Sequence, residues 1–555
     1  MVCENINSRT GADCRRVKVC GSRQMAIYVL LCWNFLLVGC AQIATPPNAP
    51  MAPTNLPPPT PREFRAAWVA TVANIDWPSK KGLTVAQQQQ EIIRIVDRAK
   101  ELNLNALIFQ VRPAADALYP SILEPWSEYL TGEQGKAPTP YYDPLKMWID
   151  ESHKRGIELH AWFNPYRARH TSAKSPNALT HIANTNPELV RNYGGYLWMD
   201  PGEAAAAQRT LDVIVDVVRR YDIDGVHVDD YFYPYPVNAP GSSVGNSAPV
   251  EQDFPDDPAW QRYVVFGGGL ARADWRRDNV NRLMQKIHES IQREKPWVRF
   301  GISPFGLGRA DRRPPGIEGF SQYDKLYADV ELWLNKGWLD YLVPQLYWPI
   351  EQRAQAFEAL LDYWLSENKL KRHVWPGLFT SRVDNTEKSW PIDELLRQVS
   401  LTRSKKMEQG HAHFSMVALV ENRKGVSDQL RANLYKNPVL IPAAPWLNAT
   451  PPTPPVLNVD TDGVARTRTI DLRSFERSAS GHAWHLAAWI RVGGTWQFVI
   501  GPAGMELSER ADVISVRFPY SIADPTQIPD RVSAFSVDRF GNESPRVTWS
   551  ADGKQ

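Results

Sequence analysis

Between residues 62 and 440 the chain alternates short apolar runs, rich in β-branched and aromatic residues, with longer stretches whose apolar positions recur every three or four residues. The runs suit strands buried on both faces and the stretches suit amphipathic helices, so their alternation predicts repeated βα units around a parallel sheet. Strands are expected at 64–72, 106–112, 158–163, 225–229, 298–302, 341–346, 373–378 and 413–419. Eight is the number that closes a barrel, so the expected fold is α/β, a (β/α)8 TIM-type barrel. The helices are well marked. Thr84 caps a segment with Ile92, Val96 and Ala99 on one face, and Asp143-Pro144 opens another that carries Leu145, Trp148 and Ile149 until Gly156 stops it. A third, at 203–221, turns Leu211, Ile214, Val215 and Val218 inward, and 355–365 and 392–407 serve later strands. An open doubly wound sheet is the rival architecture. No Gly-rich phosphate loop follows the first strand, and polar groups gather at the carboxyl ends of most strands, which favours the barrel.

Proline sets the boundaries. Residues 45–61 read TPPNAPMAPTNLPPPTP, an extended tether with no fold of its own, and 442–455 read PAAPWLNATPPTPP. Beyond the second cluster, short alternating runs at 482–484, 496–500 and 532–537 and a closing DRFGNESP suit a small β-sandwich that resembles a fibronectin type III module. The expected organisation is therefore a signal segment at 1–40, a tether at 41–61, the barrel at 62–440, a linker at 441–456 and the sandwich at 457–555.

All five cysteines, Cys3, Cys14, Cys20, Cys32 and Cys40, fall within the first forty residues. Arg15, Arg16, Lys18 and Arg23 precede an apolar run at 25–39, which is short for a membrane span but the length of a signal-peptide core. The run ends Leu37-Val38-Gly39-Cys40. That tetrapeptide resembles a bacterial lipobox, cleaved before a Cys whose thiol is then diacylated, and several acyl chains on one residue anchor stably. By resemblance to lipoprotein sorting, Ala41 after the Cys favours the outer membrane, facing the periplasm. A plain secretory signal or short anchor is the competing account, and the placing of Gly39-Cys40 favours the lipobox. Met25 is a candidate for the true start.

Charge narrows the partners. A formal net charge of +2, from 63 basic and 61 acidic residues without a basic stripe, argues against nucleic acid. The 21 Trp and 20 Tyr supply flat rings that suit sugar faces as well as protein cores.

A barrel of this kind keeps its chemistry at the carboxyl ends of its strands. There the first strand brings Asn74, Asp76 and Trp77, the second Gln110 and Arg112, the third His160, Trp162, Asn164 and Arg167, and the sixth Gln345, Tyr347 and Trp348. The fourth ends GVHVDDYFYP, setting Asp229 beside Asp230 and following them at once with Tyr231, Phe232 and Tyr233. Adjacent carboxylates near aromatic walls have shifted pKa values, as acid, base or nucleophile work on a sugar requires. Period two puts His227 and Asp229 on one strand face and Val228 and Asp230 on the other. Asp229 is then the expected nucleophile or stabiliser of an oxocarbenium-like transition state, with Asp230 as support or second carboxylate. Capping a helix, or pairing with Arg112 or Arg167, accounts as well for one of the two but not for both.

The proton donor stays open. Asp329 in LYADVELW is carried as a third catalytic candidate, with helical salt bridging as its competing role, beside Asp116, Glu124 and Glu421. Asn164, Gln345 and Tyr347 fit sugar hydroxyls, and Trp77, Trp162 and Trp348 could stack on pyranose faces. His160 and His227 beside the aspartates would suit a metal-dependent deacetylase, yet no HxxxH or HExxH spacing supports it, and neither metal nor other cofactor is expected. His411 and His413 start the expected eighth strand, the wrong end for chemistry. The GSSVG at 241–245 lies in a long loop after the fourth strand and not on the strand-to-helix turn that a GxSxG nucleophile elbow requires, and there is no cysteine in the body of the chain to act as nucleophile.

Taken together, PREFRAAWVATVANIDWPS, LNALIFQVRPAADALYPS, HAWFNPYR, GVHVDDYFYP, GISPFG and GWLDYLVPQLYWP resemble the family-10-like glycosyl hydrolases of bacterial envelopes, a (β/α)8 group formerly known only as a domain of unknown function. The similarity runs from about 62 to 440, and the lipobox and sandwich resemble the Gram-negative, divisome-localised branch of that family. The resemblance implies cleavage of peptidoglycan glycan strands stripped of stem peptides by amidases, with division-site or envelope proteins as further partners. Position by position it places Asp229 and Asp230 in the site with Arg112, His160, Asn164, Gln345 and Tyr347 around them; Trp162, His227, Tyr231 and Trp348 complete the expected substrate-binding set. The segment 241–257, GSSVGNSAPVEQDFPDD, lies in a long loop after the fourth strand, where length could differ within the family. A glycan-strand hydrolase is thus the first expectation. A non-catalytic glycan-binding or scaffolding lipoprotein and a metal-dependent de-N-acetylase are the alternatives.

Overall fold

Short strands buried on both faces, with the twist natural to L-residues, build a curled sheet, and a computed structural model describes the chain at residues 56–239, 250–405, 409–475, 483–501 and 514–553. In chain order its parallel strands are β1 (Phe64–Val69), β2 (Ala106–Arg112), β3 (Glu158–Phe163), β4 (Gly225–Val228), β5 (Arg299–Ile302), β6 (Tyr341–Leu342), β7 in two pieces (His373–Val374 and Gly377–Leu378) and β8 (Gly410–His413). Neighbours pair in that order from β1 to β6, and β1 also pairs with β8. The first piece of β7 pairs with β6 and the second with β8, so one run of chain carries both ends of the sheet. Pro376, which has no N–H to give the ladder, separates the pieces. The result is an α/β fold on a curled parallel sheet.

The helices that follow the strands are α1 (Val85–Glu101), α2 (Pro144–Lys154), α3 (Ala204–Arg220), α4 (Arg272–Glu294), α5 (Val330–Lys336), α6 (Phe357–Glu367), α7 (Ile392–Ser404) and α8 (Met416–Val420), of which α1, α2, α3, α6 and α7 form where the apolar periodicity places them. Thr84 starts α1 through a capping box with Gln87, and the Asp143 carboxylate accepts from the Lys146 N–H at the start of α2. Outward strand residues such as Phe109, Leu159 and Val226 pack under the buried helix faces. In one such contact Phe109 stacks on Trp148 at 4.8 Å, with Trp77 edge-on to both. Fully burying a side chain of this size stabilises by about 2–3 kcal/mol.

The eighth strand departs from expectation. It lies at Gly410–His413, and the apolar run after it is the helix α8 rather than strand. A short apolar run reads alike as buried strand or buried helix, so periodicity alone does not separate them.

Facing inward along the barrel axis are Phe64, Ala66, Trp68, Ala106, Ile108, Trp162, Tyr341, Val343, Trp375 and Ala412. Two large inward groups need glycine beside them. A Cβ on Gly225 would sit 2.4 Å from the His160 ring, and one on Gly301 would sit 2.0 Å from the Tyr341 ring.

The tail forms two antiparallel sheets. One joins β9 (Val456–Asp462), β10 (Thr467–Ser474) and β13 (Ile514–Ser521); the other joins β11 (Ala483–Val492), β12 (Thr495–Ile500), β14 (Pro529–Asp538) and β15 (Val547–Ser550). Ile470, Leu472, Leu486 and Ile490 belong to the core between them. This module meets the amino-terminal ends of the barrel strands. Arg539 bonds the carboxylates of Asp222 and Asp224 just before β4, and Trp446 donates to Asp340 just before β6 at 2.8 Å. Trp484 packs edge-on to His153 at the end of α2. The chain enters at the same end: Thr60 donates to Glu543, and Arg62 donates to Glu543 and to the Ile441 carbonyl, each bond 2.8–3.1 Å long.

Cys40, the signal segment and most of the tether lie outside the described residues, as does 240–249 of the loop after β4. Among the described residues no helix is long and apolar enough to cross a membrane.

Candidate active site

β4 runs Gly225-Val226-His227-Val228 with alternate residues inward, and the alternation carries Asp229 to the axis at the carboxyl end of the strand. Both Asp229 and Asp230 are buried, at 3% exposure each. The indole N–H of Trp162 donates to Asp229 Oδ2 at 2.9 Å and the Asn164 amide donates to the same oxygen at 3.2 Å. Its other oxygen, Oδ1, is buried without a protein partner. Asp230 accepts a short hydrogen bond from the Tyr235 hydroxyl and another from Gln345. Gln345 also donates to the Ser303 carbonyl at 2.9 Å, which fixes its amide between β5 and β6.

Burial raises both carboxyls. Asp229 is pushed up to about 7, by desolvation and the neighbouring Asp230 charge against the Arg167 cation. Asp230 is pushed up to about 6, by desolvation against the bonds from Tyr235 and Gln345. Arg167 is itself buried, donates to the Pro113 carbonyl at 3.0 Å and lies 4.7 Å from the centre of the Tyr231 ring. The Asn164 side chain accepts the Arg167 backbone N–H at 2.8 Å, so one asparagine sets both the cation and the carboxylate.

Half-buried aromatic rings surround the pair. Tyr235 stacks on Phe320 at 5.2 Å, Phe320 meets Phe305 at 5.0 Å, and Phe305 meets Trp348 at 5.6 Å. On the other side Tyr347, whose ionisation the Asp230 charge opposes, stacks on Phe379 at 4.9 Å and leans on Phe414 at 5.7 Å.

Of the residues singled out from sequence, Asp229, Asp230, Trp162, Asn164, Tyr231, Gln345 and Tyr347 converge here, and Trp348 stands further out on the aromatic rim. Four others lie elsewhere. Arg112 is fully buried against Glu124, with Nε and Nη2 on the carboxylate at 2.5–3.0 Å and Nη1 on the Asn164 carbonyl at 2.6 Å. The cause is a bulge at Val111, which pairs Gln110 with Trp162 but Arg112 with outward-facing Phe163. The same ion pair consumes Glu124 as a donor candidate. His160 points inward but a layer below the carboxylates, level with Gly225. Its Nε2 meets Glu158 at 3.0 Å and its Nδ1 meets the Tyr341 hydroxyl at 2.7 Å. His227 is one layer higher, with Nδ1 on Tyr341 at 3.2 Å and Nε2 on Ser303 at 2.9 Å. Both histidines therefore brace the barrel interior. Asp329 caps α5, accepting the Leu332 N–H at 3.2 Å.

Of the other acids weighed, Asp116 is buried, bonded by the Ala114 N–H and Ser127 and pushed up to about 7, whereas Glu421 is paired with Arg423 at the surface. Asp76 ties β1 to the chain after β8, accepting from the Ala70 and Val417 N–H groups and the Ser415 hydroxyl. Trp77 is fully buried in the sheet–helix core. His413 at the end of β8 faces outward to Thr380 and Tyr435. Among the described residues no three His, Cys, Asp or Glu side chains converge as a metal-ligand group. Tyr235, Phe305, Phe320 and Phe414 escaped sequence reading. The run YFYPYP carried a signal for the first, whereas the phenylalanines reach the site only through tertiary packing.

A buried carboxylate pair, ringed by aromatics at the carboxyl ends of a curled parallel sheet, belongs to the class of glycosyl-hydrolase-like proteins. The chain is a member of the glycosyl hydrolase-like 10 family, whose model matches residues 63–392. It is 43% identical over 410 residues to the glycosyl hydrolase YngK of Bacillus subtilis, covering 72% of this chain and 77% of that one. With the glycosyl hydrolase DigH of Escherichia coli K12 it shares 33% over 422 residues, covering 70% of this chain and 91% of the relative. Among solved structures, the glycoside hydrolase domain of PgaB (BpsB) from Bordetella bronchiseptica aligns at TM-score 0.40 and 13% identity over 67% of this chain and 98% of that one. An overlap that loose has no bearing on the site.

Proposed function

We propose that this protein is an envelope glycoside hydrolase that cleaves peptidoglycan glycan strands denuded of stem peptides, with Asp229 as proton donor and Asp230 as its ionised partner. The observation that carries this reading is the unequal treatment of the Asp229 oxygens. Oδ2 is filled by two N–H donors, so a proton on this carboxyl resides on Oδ1, the oxygen that no protein group uses. A carboxyl held near 7 is still largely protonated at mildly acidic pH, as general-acid work requires. The aromatic rim supplies faces for pyranose rings, and Gln345 and Asn164 supply amide groups beside them. This changes the role expected of Asp229 from nucleophile to acid and supplies the donor that sequence left open.

The LVGC sequence and proline tether support an outer-membrane lipoprotein acylated at Cys40, and the tether a polymer substrate within reach of the membrane. The relatives' names as glycosyl hydrolases support the reaction class. We take the body as a complete (β/α)8 barrel and the tail as a fibronectin-III-like sandwich. The deacetylase alternative is not favoured: both nitrogens of His160 and of His227 are engaged by protein groups.

The test is incubation of the purified full chain with intact and amidase-treated sacculi, with products read by mass. Peptide-free fragments from treated sacculi are expected, and their loss in Asp229→Asn and Asp230→Asn. Unchanged release by both variants would sink the assignment of the pair. Binding of glycan without turnover by the intact chain would establish the scaffolding alternative instead, and acetate release abolished by chelator the deacetylase.

A further inference from the structure

The two carboxylates sit on consecutive residues, whose Cα atoms are about 3.8 Å apart in any trans chain. They therefore approach a bound sugar from neighbouring points of one backbone. A retaining enzyme that uses its own nucleophile needs carboxylates on opposite faces of the anomeric carbon, about 5–5.5 Å apart, and an inverting one needs a wider gap with water between. At the other strand ends the acids are already engaged. Asp76 accepts three bonds that tie two loops together, Glu124 is locked to Arg112, and Asp116 is held by Ala114 and Ser127. The in-line nucleophile must come from elsewhere. Beside Asp230, the faces of Tyr347, Phe379 and Phe414 make an apolar wall of half-buried rings.

We propose that the nucleophile is the substrate's own 2-acetamido group: Asp230 receives its N–H, the Tyr347–Phe379–Phe414 wall receives its methyl, and Asp229 protonates the leaving oxygen. This rests on the hydrolase reading above and commits it to 2-acetamido-2-deoxy sugars on the non-reducing side of the cut. In the first step the acetamido carbonyl oxygen forms a bond to C1 while the C1–O glycosidic bond breaks. The departing oxygen takes the Asp229 Oδ1 proton, and ionised Asp230 accepts the hydrogen bond of the amide N–H, which keeps its proton, as positive charge grows on it. In the second, water attacks C1, its proton returns to Asp229, and the bond from C1 to the acetamido oxygen reopens. Two inversions give net retention, and no group outside substrate, water and the two aspartates is consumed. A carboxylate has about four lone-pair sites, so Tyr235 and Gln345 leave Asp230 room for the amide hydrogen.

The experiment uses the full chain and denuded glycan strands in three forms: natural, de-N-acetylated, and re-acylated with trifluoroacetyl groups, whose carbonyl is a poorer nucleophile. The anomer first formed is read by NMR. Retention is expected, with turnover of the trifluoroacetylated strands down about 100-fold, the scale of one lost catalytic contribution, and none of the de-N-acetylated strands. Cleavage with inversion, equal rates on all three strands, or a glycosyl adduct trapped on Asp230 would overturn this mechanism and leave the hydrolase reading intact. Failure to cleave natural strands would overturn both.

Discussion

Asp229 and Asp230 differ by one residue and by what hydrogen-bonds to them, and that difference sets a narrow working range. The proposed reaction needs Asp230 ionised and Asp229 protonated, so activity should rise through about pH 6 and fall through about pH 7, a bell read from kcat against pH. A plateau extending well above pH 8 would contradict the assignment of Asp229 as acid. The same carboxyl costs stability. Its folded pKa lies above the ordinary value of about 3.9, so the folded state binds the proton more tightly. The stability it contributes is present at acid pH and declines as pH rises from about 4 to about 7. Asp229→Asn should therefore lower kcat by about 10²–10⁴-fold. It should also raise Tm at pH 8 by a few degrees, on the order of the buried-charge cost removed, with no gain at pH 4. A calorimetric scan at the two pH values checks the sign.

Among elements, β2 shows most clearly what sequence does and does not disclose. Its limits, 106–112, agree with the apolar run, yet one extra residue at Val111 sends Arg112 outward to Glu124 rather than into the mouth. Bulges leave no mark in an apolar run, whereas the Thr84 and Asp143-Pro144 caps are written in residue type and were legible in advance. Most strand positions and the Asp229–Asp230 pair were legible for the same reason, since burial and alternation are local. The depth of His160, the capping role of Asp329 and the helical α8 were not, because each depends on which neighbour the chain meets in three dimensions. The Arg112–Glu124 pair gives a prediction at this scale. Glu124→Leu strands a buried guanidinium and should cost about 3–5 kcal/mol in urea unfolding, and adding Arg112→Met should recover most of that. Equal loss in single and double variants would mean that the pair matters only as packing volume.

At the scale of the molecule, the sandwich is fastened to the end of the barrel remote from the chemistry. Asp224 is buried and held ionised, its pKa pulled well down against burial by His153 and Arg539. That stabilisation is present above the ordinary carboxylate range and is lost as pH falls through the depressed folded value. Arg539→Ala should lower stability at pH 7 by about 3–5 kcal/mol, as breaking a buried pair does, while kcat stays unchanged because the guanidinium touches only the barrel floor and the sandwich. Urea titration and turnover on the same preparation separate the two. Reduced kcat at undiminished stability would show that the floor communicates with the mouth.

The first described residues join this body beside the sandwich, through Thr60 and Arg62 to Glu543. One carboxylate, Glu543, thus knots the start of the described chain to the tail module on the underside of the barrel, the face opposite the aspartates. A fault in that knot would loosen the underside and leave the opening as it is.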